Sequence, residues 1–136
     1  MAESHLLVRR VFDELDLSIV RDEGTGPSYE NFVIEGCGSV ICVRAGRDRK
    51  SEMVDIRART EPVEWFDIMI VMTFMLSESK LFEEISLYEQ LEFLKTNFGE
   101  LAQLFGRDNY PTIKPQLKSL EFHRAKILFP DWYAEP

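Results

Sequence analysis

Hydrophobic and polar residues recur along this chain with two different periods, and the change from one to the other falls near residue 60. From about Ser4 to Leu15, Leu7 or Val8, Val11, Phe12 and Leu15 return at steps of three and four, with Arg9, Arg10, Asp13 and Glu14 between them. That spacing predicts a short amphipathic helix. Leu17 to Arg21 reads as a first, short strand, and Gly24-Thr25-Gly26-Pro27-Ser28 as a turn. Tyr29 to Glu35 then alternates, with Phe32 and Ile34 on one face and Asn31 and Glu35 on the other. Ser39 to Ala45 carries Val40, Ile41, Cys42 and Val43 in succession, which suits a central strand covered on both faces. Met53 to Arg59 sends Val54, Ile56 and Ala58 inward and Asp55, Arg57 and Arg59 outward. Gly36-Cys37-Gly38 and the charged loop from Gly46 to Ser51 are short links, so the strands are expected to form an antiparallel meander.

Beyond residue 60 the period is helical. Thr60 or Glu61 is expected to cap a helix with Pro62 in its first turn and the apolar run Trp65 to Leu76 as its body. Only Asp67 and Thr73 interrupt that run, and it is shorter than the roughly 20 residues of a membrane span, so it reads as a buried helix. Ser86-Leu87-Tyr88-Glu89 is a capping box, and Leu87, Leu91, Leu94, Phe98, Leu101 and Phe105 continue the helix it opens as far as Gly106. A last helix is expected from about Pro115 to Leu128, with Leu117, Leu120 and Ile127 on one side and Pro130 ending it. Neither a repeat nor a linker interrupts the pattern. The expectation is one α+β two-layer domain over residues 1–136: an N-terminal helix, a four-stranded antiparallel meander, then three helices.

Composition supports a core that needs no crosslinks, since 45% of residues are hydrophobic and 12% aromatic. The net charge of −8 repels phosphate backbones and anionic lipid, so neither nucleic acid nor membrane is an expected partner, and a basic protein is. Cys37 and Cys42 match no metal or redox spacing and read as buried small hydrophobes. The first residues show no basic stretch followed by an apolar one, which makes the cytoplasm the expected compartment.

Residues that could carry chemistry are few. Gly24 to Ser28 lacks the third Gly of a dinucleotide fingerprint and the ending of a phosphate loop, and no motif asks for a cofactor or a metal. His5 sits on a terminal helix expected to fray, and His123 among basic residues on the last helix. Glu64 and Asp67, one turn apart on the expected helix, could divide acid and base roles or hold a hard cation; they also suit its positive N-terminus. Arg44, Arg47, Arg49, Lys50, Arg57 and Arg59 form a basic cluster interleaved with Asp48, Glu52 and Asp55, either as cross-strand ion pairs or as an anion site. Met69, Met72 and Met75 read as core filling, with a homodimer contact as the other possibility. Glu78, Glu83, Glu84, Glu89 and Glu92 gather about the capped helix and make the most distinct charged patch.

The runs Tyr29-Glu30-Asn31-Phe32-Val33-Ile34-Glu35, Val54-Asp55-Ile56-Arg57, Glu64-Trp65-Phe66-Asp67 and Ser86 to Leu94, with Leu104-Phe105, resemble small bacterial proteins of the immunity type in polymorphic toxin systems. The resemblance spans residues 29–105 and implies neutralisation of a partner toxin by binding it. The expected function is therefore a non-enzymatic protein-binding domain, with Glu83, Glu84, Glu89 and Glu92 as the contact face for a basic toxin domain. The alternatives are a small enzyme built on Glu64, Asp67, Arg57 and Arg59, or a homo-oligomeric structural subunit.

Overall fold

The computed structural model describes residues 3–25, 30–49, 51–77 and 80–132, with the Thr25 side chain left aside. The segment Gly26 to Tyr29, which holds most of the expected turn and the start of the second strand, lies outside the described residues, as do Lys50 and Glu78.

Helix α1, Glu3–Glu14, buries His5, Val8, Val11 and Phe12 on one stripe. It ends in a Schellman motif: Leu17 N–H donates to the Phe12 carbonyl at 2.9 Å and Asp16 N–H to that of Asp13 at 3.1 Å. Asp16 takes the left-handed conformation, φ 55°, that this ending requires. Because Leu17 is spent closing the helix, strand β1 begins at Ser18 and runs to Thr25, further than the expected Arg21. Strands β2 (Asn31–Cys37), β3 (Ile41–Asp48), β4 (Ser51–Ala58) and β5 (Phe66–Asp67) follow in spatial order β1-β2-β3-β4-β5, each pair antiparallel. The fold is thus α+β with a five-stranded sheet, one strand more than the sequence reading expected. Gly46, Arg47 and Asp48 belong to β3, not to a loop; the hairpin closes after the Asp48–Ser51 pair with Arg49 at φ 51°.

The fifth strand comes from the segment read as the first turn of a helix. Residues 60–65 form turns and irregular chain, and helix α2 begins only at Ile68 and ends at Leu76. Asp67 is its N-cap, accepting from Met69 N–H at 3.0 Å, so neither Thr60 nor Glu61 caps it and Pro62 lies outside it. The run expected to be one helix from Leu87 is two, α3 (Leu87–Thr96) and α4 (Phe98–Leu104). Asn97 divides them: its side-chain amide donates to the Phe93 carbonyl at 3.0 Å, competing for the acceptor of its own helical N–H bond. Helix α5, Tyr110–Leu128, starts a turn earlier than expected, with Pro115 inside it. A 3₁₀ turn follows at Pro130–Trp132.

The inward face of the sheet matches the alternation of the sequence, with Phe32, Ile34, Val54, Ile56 and Ala58 all buried. Helices α1 and α3 pack on that face, and Phe12, Leu87, Leu91 and Leu94 join the strands in one hydrophobic cluster. Close approach of α1 needs Gly36, where an added Cβ would lie 2.7 Å from the Phe12 ring. Met69 and Met72 are buried and Met75 is half-buried against the same cluster, as core-filling side chains would be. Among the described residues, no helix is long and apolar enough to cross a membrane.

Cys37 and Cys42 are directly opposed in the β2–β3 register, with Cα atoms 4.1 Å apart, and form a disulfide. The reading of two separate thiols is corrected by this pairing. A spacing of five residues brings two cysteines face to face only when a tight antiparallel turn lies between them, as the Gly38 N–H to Ile41 carbonyl bond of 2.9 Å provides here.

Candidate functional site

Strand β5 pairs with β4 only at Asp55 and Ile56, which leaves the edge of β4 from Ser51 to Val54 without a neighbouring strand. The 80–86 loop and the start of α3 cover that edge. Ser86 caps α3, its Oγ accepting from Glu89 N–H at 3.2 Å. Glu52, on β4, completes the cap from outside: its Oε1 accepts from Leu87 N–H at 3.2 Å while its Oε2 holds Arg47 at 2.7 Å. Gln90, 4% exposed, donates from Nε2 to the Glu52 carbonyl at 3.1 Å and to the Ile85 carbonyl at 3.0 Å. An exposed edge would otherwise leave those groups unpaired.

Two features result. The first is a cleft of about 620 Å³ whose walls include Met53, Met69, Leu81 and Ile85, together with Glu83, Glu84, Asp67, Arg49 and Arg124. The second is the surface beside it. Phe82 is 49% and Tyr88 58% exposed, and Glu83, Glu84 and Glu89 are exposed with them. Among the described residues neither Glu84 nor Glu89 makes an ion pair, whereas Glu83 holds Lys80 at 3.4 Å. Glu92 has a different use: it pairs with Lys95 at 3.7 Å, and Lys95 reaches Glu14 of α1 at 3.1 Å. Hydrogen bonding to Glu14 raises the Lys95 pKa above its ordinary value. So Glu83 and Glu84 are exposed on the 80–86 loop and Glu89 on the first turn of α3, and Glu92 belongs to a bridge between α3 and α1.

The four residues of the alternative site are not brought together around a common point. Glu64 pairs with Lys118 of α5 at 3.2 Å. Asp67 is bound at both oxygens, by Met69 N–H and by Arg124 at 2.9 Å. Arg57 lies beside the Trp65 ring at 5.1 Å and approaches Cys37 Sγ at 3.9 Å, and Arg59 donates to the Gly38 carbonyl. Asp67 stands at the end of a different arrangement, a row of charges across the outer face of the sheet. Arg21, Glu35, Arg44, Asp55 and Asp67 are successive register partners on β1 to β5, and Arg124 of α5 closes the row. Arg44 binds Asp55 at 2.8 Å and carries Trp65 over its guanidinium at 4.4 Å. Burial pushes the Asp55 carboxyl up; Arg44 opposes that shift and Asp67 adds to it. Within the basic cluster, Arg44 and Arg47 make cross-strand pairs on opposite faces of the sheet, Arg44 with Asp55 on the outer face and Arg47 with Glu52 on the face that carries α1 and α3.

Gln90 and Arg124 were not singled out by the sequence reading, and Glu52 entered it only as a charge interleaved with the basic cluster. Gln90 carried a usable signal, a polar side chain on the buried stripe of Leu87, Leu91 and Leu94. The others depend on contacts across 35 and 57 residues, which local pattern does not encode.

His5, far from fraying, is buried in α1 and bonds Asp22 at 2.7 Å, where Arg9 also binds. His123 is exposed on α5. Among the described residues no three or more His, Cys, Asp or Glu side chains gather as a metal site would need. No protein family, no curated protein and no solved structure matches this chain.

Proposed function

We propose that this chain is a non-enzymatic protein-binding domain that neutralises a basic partner by covering it, in the manner of an immunity protein. The observation that carries the reading is the surface at Phe82, Glu83, Glu84, Tyr88 and Glu89: two exposed aromatic side chains among carboxylates, two of which have no ion pair among the described residues. Aromatic side chains supply contact area at small entropic cost, and unpaired like charges around them favour a partner of opposite sign. The loop and the start of α3 that bear them are tied to β4 through Glu52 and Gln90, so both are held in shape before they meet a partner. The resemblance to immunity proteins and the net charge of −8 point the same way. The compartment in this proposal is the cytoplasm.

The test uses the tagged whole protein as bait in its host, beside a Tyr88→Ala/Glu89→Lys double variant, both residues being exposed. A basic protein retained by the wild type and reduced about tenfold or more with the variant supports the reading. Equal retention by the two proteins overturns it. Co-expression with the captured protein then decides the immunity role: growth restored by the wild type supports it, and continued toxicity refutes it.

A further inference from the structure

We propose that the cleft between the β4 edge and the 81–86 loop receives one cationic side chain, a lysine or arginine of the basic partner. This rests on the function proposed above and names what enters the cleft. Gln90 is 4% exposed and lines the cleft, and both hydrogens of its amide are committed to the Glu52 and Ile85 carbonyls. What remains is the carbonyl Oε1, an acceptor to which no group donates among the described residues and which is not a sealed atom. A buried amide that offers only an acceptor selects for a donor.

The wall charges agree. Glu52, Asp67, Glu83 and Glu84 line the cleft against Arg49 and Arg124. Arg47 holds Glu52, Arg124 holds Asp67 and Lys80 holds Glu83. Among the described residues Glu84 is left without an ion pair, so the site offers one carboxylate and one amide oxygen. Met53, Met69, Leu81 and Ile85 supply an apolar wall for the methylene stem that a lysine or arginine carries behind its charge. An anion is the poorer occupant, because Arg124 is already bound by Asp67 and the uncommitted atom of Gln90 is an acceptor, which repels an anion. Arg49 makes no ion pair among the described residues and opposes a cation, which gives the proposal a second, oppositely signed test.

The probes are N-acetyl-arginine amide and N-acetyl-lysine amide, with N-acetyl-norleucine amide as the uncharged control. Each is titrated into the whole protein and followed by NMR at the Gln90 side-chain amide and the Met53 and Met69 methyl groups. The expected result is saturable shifts at those groups with the cationic probes and none with the control. Glu84→Gln, at an exposed position, weakens binding about threefold or more, and Arg49→Ala strengthens it by a similar factor. Absence of saturation, an equal response to norleucine amide, or an unchanged affinity in Glu84→Gln overturns the proposal. Shifts confined to Tyr88 and Glu89 overturn the cleft alone and leave the surface reading standing. That reading fails separately, through the Tyr88→Ala/Glu89→Lys comparison.

Discussion

Tyr110 is 3% exposed and stacks on Phe105 with ring centroids 5.4 Å apart, yet its hydroxyl has no hydrogen-bond partner among the described residues. Burial first, then the nearby Glu61 and Glu64, push its pKa up to about 12. A hydroxyl taken from water without a partner costs about 1–3 kcal/mol, so Tyr110→Phe should raise stability by about 1 kcal/mol. A higher urea midpoint at unchanged slope would show this, and a lower one would reveal a partner for the hydroxyl. Asp22 is perturbed the other way. Burial alone would push its carboxyl up, but the hydrogen bonds from His5 and Arg9 outweigh that and bring its pKa below the ordinary 3.8. A lowered folded value means that the unfolded chain binds its proton first. The stabilisation is therefore present above 3.8 and disappears as pH falls through the lower, folded value. Asp22→Asn should lose stability at neutral pH and show a shallower further decline below 3.8, measured by denaturant midpoints at stepped pH. Asp55, with its pKa raised, contributes the opposite slope just above 3.8, gaining stability on acidification.

At the scale of elements, α1 docks on β2 through the contact of Phe12 with Gly36. Gly36→Ala would force a Cβ to within 2.7 Å of that ring and should cost about 1–3 kcal/mol, read as a lower thermal midpoint with the helix content retained. A neutral result would mean that α1 can shift outward freely. The strand alternation that puts Phe32, Ile34, Val54 and Ile56 inside was legible in the sequence because period two survives any detail of pairing. The N-cap at Ser86 was legible because its hydroxyl and the Glu89 N–H it accepts from are three residues apart. Strand β5 was not, since Phe66 and Asp67 are continuous with the apolar run of α2 and only the pairing with Asp55 and Ile56 makes them a strand. The break at Asn97 was hidden for a similar reason: Leu94, Leu101 and Phe105 stay on the apolar stripe through it. The acidic surface could be read as a cluster of carboxylates, but the cleft beside it could not. It exists only because Glu52 and Gln90 join segments distant in sequence.

For the whole molecule, the disulfide and the proposed compartment test each other. Glutathione keeps cytoplasmic thiols reduced, so protein taken rapidly from that compartment should titrate two thiols at Cys37 and Cys42, with alkylation and mass spectrometry as the measure. A crosslinked pair under acid quench would place the chain in an oxidising compartment. Closing so short a loop constrains the unfolded chain by only about 2 kcal/mol, so the reduced protein should still fold. The charge row across the outer sheet has a consequence of another kind. Three arginines and three carboxylates cancel along it, so the net −8 must be carried by the rest of the surface. The row is thus a neutral strip on an acidic molecule, and the cationic partner proposed above would be drawn to the surface away from it. Much of the selection of docking pose would then be made at a distance, in solution, and would fade as added salt shortens the reach of the field.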